Sequence, residues 1–451
     1  MPFEVSSINS FITVLLQIFE NWWWLPLFFI LWKPFLFLYL WWRVDNFLKK
    51  QQSIMLDIKL PKEILKPIRA MEVVLSSIHA AIYQPPDLWE KWIDGQVQLS
   101  LGLEMVSIDG QPHFFVRTPK QYQDAVESSL YAQYPEIEII EVDDYTKHIP
   151  QSIPNKEWDL FGSDYKLIKD DHYPIKTYSE FETEREKKEG EVVDPIAGLL
   201  EAMAKVKKGE HLWIQFLIDP VGDANELKFL GMVTTEGSLS KWRKTGEELR
   251  DKLARRPGPA GAPKPIIQEA AEILITGNVP EEKKEEKEII PPEMKLTPGE
   301  REVLAAIEKK MSKPIFQITA RFIFLGRKDV WFKPNFRLAF SFFNQYTTNN
   351  LNALFPDGRT LTKIKKFLIL QPFNMNFIRS RRHYLRCRKL FRNYVKRFSP
   401  FFPKLGKGTF MLNTEEIASL FHFSSEETAP GPGIQRIEVK KRGVPPGLPV
   451  E

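Results

Sequence analysis

An apolar stretch near the N-terminus, residues 22–42, constrains the fold of this chain more than any other feature. Its sequence is WWWLPLFFILWKPFLFLYLWW, with a single charge at Lys33 and tryptophans at both ends. A helix of these twenty-one residues is about 31 Å long, close to the roughly 30 Å of a bilayer's hydrocarbon core. Indole rings favour the boundary between headgroups and hydrocarbon. The stretch therefore predicts a membrane-spanning helix.

The residues expected to anchor this helix are its terminal tryptophans and the basic residues within and just after it. They are Trp22, Trp23, Trp24, Lys33, Trp41, Trp42 and Arg43. Insertion of the lysine costs about 2.5–3.5 kcal/mol. The eleven Leu, Ile and Phe residues of the stretch return roughly 3–7 kcal/mol. A monotopic or re-entrant hairpin and a buried core helix are the alternatives to a span.

The flanking charges predict how the chain is oriented. Arg43, Lys49 and Lys50 follow the stretch, and no Lys or Arg precedes it. The positive-inside rule therefore places the short N-terminus outside and the bulk of the chain in the cytoplasm. Residues 1–21 carry apolar side chains at helical spacing and are expected to form an amphipathic lead-in. A single cysteine, Cys387, agrees with a reducing compartment. We expect a single-pass protein of the cell membrane.

Composition and motifs nominate no catalytic site. The formal net charge of +5 indicates no class of partner, and seven histidines are scattered without metal-ligand spacing. Residues 406–409, GKGT, resemble part of a phosphate-binding loop but lack its first glycine and its Lys-Ser/Thr pair. The sequence also lacks the nucleophile-elbow and zinc-protease motifs. We therefore predict that the chain is not an enzyme and has no catalytic residue, metal or cofactor.

Residues 53–145 have the pattern of one compact α+β unit. Side-chain periodicity predicts four strands and two helices, and Asp109-Gly110 is a hairpin turn signal. The predicted strands are residues 54–60, 97–105, 113–118 and 137–142, and the predicted helices are residues 62–83 and 120–134. The order β-α-β-β-α-β specifies a ferredoxin-like sandwich, with four antiparallel strands and two helices on one face.

The remainder of the chain predicts a second, diverged unit of the same kind. Residues 146–193 are expected to be an irregular connector, with a short strand near residues 164–168. Residues 194–423 contain strands and helices in a similar order, interrupted at about residues 255–295 by a Pro/Gly-rich and charged insertion that we expect to be disordered. Residues 424–451 are expected to form a flexible tail. The predicted fold class is α+β, with an N-terminal transmembrane helix followed by two ferredoxin-like βαββαβ domains.

A basic amphipathic helix at residues 379–398 is the most unusual stretch outside the N-terminus. It contains no acid and nine cations, which are Arg379, Arg381, Arg382, Arg386, Arg388, Lys389, Arg392, Lys396 and Arg397. One apolar stripe of the helix is formed by Tyr384, Cys387, Phe391, Tyr394 and Phe398. Three interpretations compete. The cations lie on anionic lipid headgroups, they bind nucleic-acid phosphate, or the stripe packs on the domain while the cations are solvated or docked on an acidic partner.

Six motifs, taken together and in order, carry a resemblance to a known family. They are HFFVRTPK (113–120), SSLYAQYPEIEIIEVDDY (128–145), DPIAGLLEAM with GEHLWIQ (194–215), LTPGERE (296–302), MLNTEEIASLFHF (411–423) and IEVKKRGVPPGLP (437–449). The set resembles the membrane-proximal region of conjugative-transfer, type IV secretion-like ATPases of bacteria. The last motif resembles the hinge that leads into the nucleotide-binding domain of that family.

The resemblance implies a role and a set of partners. That family continues into a motor domain with Walker motifs, whereas this sequence ends at Glu451, so no ATP-site residue is carried over. The implied function is a membrane-anchored, non-catalytic scaffold or assembly module for a translocation ATPase. The membrane, a separate motor subunit and further copies of the chain are the expected partners. The alternative is a membrane-tethered nucleic-acid-binding protein that holds DNA on the basic helix 379–398.

Overall fold

The computed structural model of the chain describes eleven segments. They are residues 24–61, 66–87, 89–181, 194–222, 226–227, 234–235, 238–255, 296–363, 376–397, 408–424 and 436–437. The predicted amphipathic lead-in, nearly all of the predicted insertion and most of the predicted tail lie outside these segments. The chain divides into two compact units, one made of residues 1–52 and 85–98 and the other of residues 53–84 and 99–451.

The helices and strands are numbered here in chain order. The α-helices of the described residues are α1 (Trp24–Lys50), α2 (Arg69–Ile82), α3 (Gln123–Gln133), α4 (Ala197–Ala204), α5 (Ser238–Leu253), α6 (Pro298–Ser312), α7 (Arg337–Asn344), α8 (Asn376–Val395) and α9 (Thr414–Leu420). The strands of the described residues are β1 (Ser53–Pro61), β2 (Leu101–Ile108), β3 (Gln111–Pro119), β4 (Glu138–Val142), β5 (Trp158–Leu167), β6 (Glu210–Val221), β7 (Glu226–Leu227), β8 (Thr234–Thr235), β9 (Ile315–Arg327), β10 (Leu354–Pro356), β11 (Phe410–Asn413) and β12 (Arg436–Ile437).

The first compact unit contains α1 and a helical turn at Glu90–Asp94 that packs against it. Gly95 ends this turn with a φ of +71°, and a Cβ at that position would lie 2.4 Å from the carbonyl carbon of Arg43. Glycine suits this position for two reasons. It adopts the left-handed conformation without strain, and it has no Cβ to collide with the backbone of Arg43. Large apolar side chains of α1, including Phe28, Ile30 and Leu38, are exposed in this unit.

The predicted transmembrane helix at residues 22–42 is wrong. In the part of the chain that the structure describes, no helix is both long enough and apolar enough to cross a membrane. Lys33 and Pro34 lie side by side within the stretch, and its indole and phenol groups carry donors that hydrocarbon cannot satisfy. The predicted fold class is therefore wrong in its transmembrane helix. The single-pass localisation and the orientation, which followed from that helix, are wrong as well.

The predicted membrane anchors that the structure describes lie on a helix that is not apolar enough to span a membrane. Lys33, Trp41 and Trp42 are exposed on α1, and the Arg43 guanidinium lies 5.7 Å from the centre of the Trp42 ring. Trp24 is the first residue of α1, whereas Trp22 and Trp23 lie outside the described residues.

The second compact unit is an α+β structure built on one ten-stranded sheet. The strands follow the order β4-β1-β3-β2-β6-β9-β5-β10, with β11 beside the first residues of β9 and β12 beside the end of β1. Every pairing in this sheet is antiparallel except that of β1 with β12. A separate two-residue hairpin is formed by β7 and β8.

The sheet consists of two halves with the same connectivity. The first half runs β1-α2-β2-β3-α3-β4 and the second runs β5-α4-β6-β9-α7-β10, so both follow the order β-α-β-β-α-β. In space each half places its fourth strand beside its first, then its third and its second. The second half begins at Trp158, within the stretch predicted to be a connector. The insertion with α5 and α6 lies between β6 and β9.

Different helices cover the two faces of the sheet. Phe216 and Phe322 lie on the face covered by α7, and Phe114 on the same face contacts Phe421 just after α9. Trp213 and Ile323 lie on the opposite face and pack against α8. This alternation follows from the period of two along each strand. It places the basic helix α8 on one face of the sheet.

Candidate functional site

Three residues of the predicted apolar stripe of α8 are buried in the core, whereas Tyr384 is exposed. Cys387, Leu390, Phe391 and Tyr394 are at most 3 % exposed, and the rings of Tyr394 and Trp213 stack with centroids 5.3 Å apart. These four residues recur at intervals of one, three or four positions, which puts them on one side of a helix. The helix therefore packs on the sheet through its apolar side.

An arginine just beyond α8 ties the helix to the first half of the sheet. Arg397 adopts a φ of +48°, the left-handed conformation that often ends helices, and its side chain is buried. Its Nε donates to Oε1 of Glu104 at 2.9 Å and its Nη2 donates to Oε2 at 3.1 Å. Nη2 also donates to Oδ1 of Asp144 at 3.0 Å. Burial alone would raise the pKa of Glu104, but the charge of Arg397 and the hydrogen bonds from Arg397, Tyr145 and Gln215 together outweigh it, so the pKa is lowered.

Further polar groups surround this buried ion pair. The Tyr145 hydroxyl donates to Oε2 of Glu104 at 2.6 Å and lies 2.9 Å from the Tyr394 hydroxyl. The Gln215 amide donates to Oε1 of Glu104 at 2.8 Å. From the second half of the sheet, Nη1 of Arg321 donates to the backbone carbonyl of Asn393 at 2.7 Å. Both halves of the sheet therefore fix the C-terminal end of α8.

The outer side of α8 is an exposed cationic face. Seven of the nine predicted cations are exposed, namely Arg379, Arg381, Arg382, Arg388, Lys389, Arg392 and Lys396. None of these seven forms an ion pair with a carboxylate of the described residues. All but the first lie within an arc of about 120° on a helix of 3.6 residues per turn, and the full set of seven extends over about 26 Å. We call these seven residues the basic face.

The other two predicted cations do not belong to the basic face. Arg386 is half-buried and its Nη1 donates to the Leu361 carbonyl at 3.1 Å. Arg397 is buried in the ion pair with Glu104. Phe398, the last residue of the predicted stripe, lies outside the described residues. The structure thus divides the predicted patch into an exposed surface and two positioning residues.

An open groove with a volume of about 450 Å³ lies beside the N-terminal half of α8. Its lining residues are Pro154, Asn155, Lys156, Asp159, Lys328, His383 and Tyr384. Tyr384 is 41 % exposed, and its hydroxyl accepts a hydrogen bond from Nη1 of Arg388 at 3.4 Å. The groove is therefore continuous with the basic face.

A histidine and a cysteine lie close together at the groove, but they are not a nucleophilic pair. The Cys387 Sγ is 3.7 Å from Nε2 of His383. Burial raises the pKa of the thiol to about 12, and burial also lowers the pKa of the imidazole. The thiol is therefore protonated near neutral pH, whereas catalytic cysteines need a thiolate. No cluster of three or more His, Cys, Asp or Glu residues in the described segments could hold a metal ion.

Several residues of the site were not predicted from the sequence. Alternation along residues 97–105 puts Glu104 on the polar side of its strand, yet α8 covers that side and the carboxylate is fully buried. Lys156 and Lys328 come from loops separated by 172 positions. The alternation along β2 indicates on which face of the sheet Glu104 lies. The sequence does not indicate which helix covers that face.

Two comparisons bear on the identity of the chain. The model of a family described as Domain of unknown function (DUF8128) matches residues 97–428, which include β2 to β11 and all of α8. No curated protein matches the chain. Neither comparison connects it with conjugation or type IV secretion, so those parts of the predicted description have no support here, and its transmembrane part is wrong.

Proposed function

The chain belongs to the DUF8128 family of domains of unknown function, and we propose that it binds nucleic acid through the basic face of α8. The observation that carries the proposal is a set of seven exposed cations, six on one docked helix and Lys396 in the turn after it, with no ion pair to a described carboxylate. Nucleic-acid affinity comes mainly from neutralised phosphates. A span of about 26 Å corresponds to about seven phosphates along one strand of a duplex.

The packing of α8 favours nucleic acid over a lipid surface. An interfacial membrane helix buries its apolar side among acyl chains. The apolar side of α8 is already buried in the protein core through Cys387, Phe391 and Tyr394. The surface that the helix offers to a partner is therefore mainly the basic face, beside the exposed side chains of Tyr384 and Leu385. The basic face suits a phosphate backbone.

The salt dependence of binding tests the proposal. Fluorescence anisotropy of a labelled oligothymidylate of about 20 nucleotides, titrated with the full chain between about 50 and 200 mM salt, gives the slope of log affinity against log salt. Seven phosphate contacts predict a slope of about −5 for a single strand. Replacing Arg381, Arg382, Lys389 and Arg392 together by Ala leaves three contacts and predicts a slope of about −2.

A matched variant separates the basic face from the overall charge. Lys120, Lys241, Lys252 and Arg301 are four exposed cations outside α8, and their joint replacement by Ala removes the same charge. We expect this control to keep the slope of the unmodified chain. A flat salt response, or an equal loss of slope in the two variants, would rule out binding by the basic face. Circular dichroism establishes that both variants fold.

A second candidate function is a non-catalytic assembly module for a separate ATPase. This candidate rests on the family resemblance of the sequence, three of whose motifs lie in one core, where the Phe423 ring is 5.5 Å from that of Phe114 and 5.1 Å from that of Tyr134. Affinity purification of the chain from its native cells, followed by mass spectrometry, tests this candidate. Recovery without any ATPase counts against it.

A further inference from the structure

We infer that the groove beside α8 takes up one unstacked base, so that the chain prefers single-stranded nucleic acid to duplex. This inference rests on the proposed function, because the basic face supplies the contacts to phosphate. The groove is continuous with that face through the hydrogen bond from Arg388 to the Tyr384 hydroxyl. The groove is open to solvent and has a volume of about 450 Å³, so a base would lie against its wall rather than inside an enclosed pocket.

The aromatic ring of Tyr384 supplies a stacking surface. The side chain is 41 % exposed although its neighbours on the stripe are buried. Bases of single strands stack on such rings, and this contact tolerates any base because every base has an aromatic face. A base held within a duplex must first be unstacked and unpaired. Stacking on Tyr384 therefore favours a single strand.

The remaining groups of the groove match the edge of a base and its flanking phosphates. The Asn155 Oδ1 accepts the backbone N–H groups of Glu157 and Trp158 at 2.9 and 2.7 Å, which leaves the amide N–H groups of Asn155 as donors. Asp159 supplies a carboxylate as acceptor, whose Oδ1 also accepts the Leu160 N–H at 2.9 Å. Lys156 and Lys328, both exposed, add cations at the groove. Donors, acceptors and cations thus surround one aromatic ring.

The experiment compares a labelled oligothymidylate with a duplex of equal length, both titrated with the full chain at one salt concentration. We expect tighter binding of the single strand. Tyr384→Ala should weaken single-strand binding by about 5- to 150-fold, the effect of losing one base–aromatic stack. Duplex binding should change less than about twofold, because phosphate contacts remain. Tyr384→Phe keeps the ring and should bind single strands like the unmodified chain.

An exposed tyrosine elsewhere provides the matched control. Tyr131 on α3 is 40 % exposed, and Tyr131→Ala should leave both affinities unchanged. If Tyr384→Ala and Tyr131→Ala bind the single strand equally well, the groove inference is overturned while binding by the basic face stands. Equal affinity of the unmodified chain for single strand and duplex overturns it too. If neither nucleic acid binds, the proposed function itself fails.

Discussion

The guanidinium of Arg397 links α8 to the sheet, and its surroundings determine what its loss would do. Its side chain is 1 % exposed and that of Glu104 is fully buried. Two such charges are costly to remove from water, and their mutual attraction offsets that cost only while both are present. Removing the arginine leaves the carboxylate buried without a counter-charge.

Arg397→Met should therefore destabilise the fold by about 3–5 kcal/mol, as measured by urea denaturation. Arg392→Met on the exposed side of α8 is the control, and we expect it to change stability by less than about 0.5 kcal/mol. Adding Glu104→Gln to Arg397→Met should restore part of the loss, because the buried charge is then gone. Equal stability of the two single variants would contradict this account of the ion pair.

At the scale of elements, the period of side chains along α8 predicted much of its packing. The structure buries Cys387, Phe391 and Tyr394, which that period placed on one side. The period could not predict the fate of Arg397, because this residue follows the end of the helix and turns inward through a positive φ. The period also could not predict the groove, because its lining residues outside α8 belong to segments far from the helix in sequence.

Among the strands too, local sequence patterns predicted some elements, and others depend on contacts between residues far apart in the sequence. Alternation predicted β1 to β4 because each has a clear apolar side, although it began the second strand at residue 97 and β2 begins at Leu101. It placed a strand only near residues 164–168, whereas β5 begins at Trp158. The three-residue β10 pairs with β5 across almost 190 positions, so neither segment has a nearby partner that could reveal it. The prediction for α1 was wrong because a stretch of twenty-one mostly apolar residues has the length of a membrane-spanning helix. Length and apolar side chains do not by themselves distinguish such a helix from others.

Two helices begin with the same capping box in different surroundings. At the start of α9, Oδ1 of Asn413 accepts the Glu416 N–H at 2.8 Å, and Asn413 is 2 % exposed. At the start of α6, Oγ1 of Thr297 accepts the Glu300 N–H at 3.3 Å in an exposed position. Water can replace the cap of α6 but not that of α9.

Asn413→Ala should consequently cost more stability than Thr297→Ala. We expect a loss of about 2–3 kcal/mol for the buried cap, since a buried N–H is left without an acceptor. The exposed cap should cost about 1 kcal/mol or less. Urea denaturation of both variants measures the difference. A Thr297→Ala loss as large as that of Asn413→Ala would show that burial of the cap does not matter.

At the scale of the second compact unit, the two βαββαβ halves share one sheet. They meet where β2 pairs with β6 over eight residues, with Glu104 opposite Gln215. The helix α8 covers this junction, since its cluster contains Val106 from the first half and Trp213 from the second. The basic face is thus held by residues from both halves, and its geometry depends on their union.

This arrangement predicts that the two halves unfold together. Leu56 in β1 is 1 % exposed, and Leu56→Ala should remove about 2–5 kcal/mol of stability. Because the junction between β2 and β6 and the core beneath α8 connect the halves, hydrogen exchange in denaturant should show the same lowered midpoint for peptides from β3 and from β9. A shift confined to β3 would mean that the halves are independent. The basic face would then depend on the second half alone, and the ion pair of Arg397 with Glu104 would not be needed to hold it.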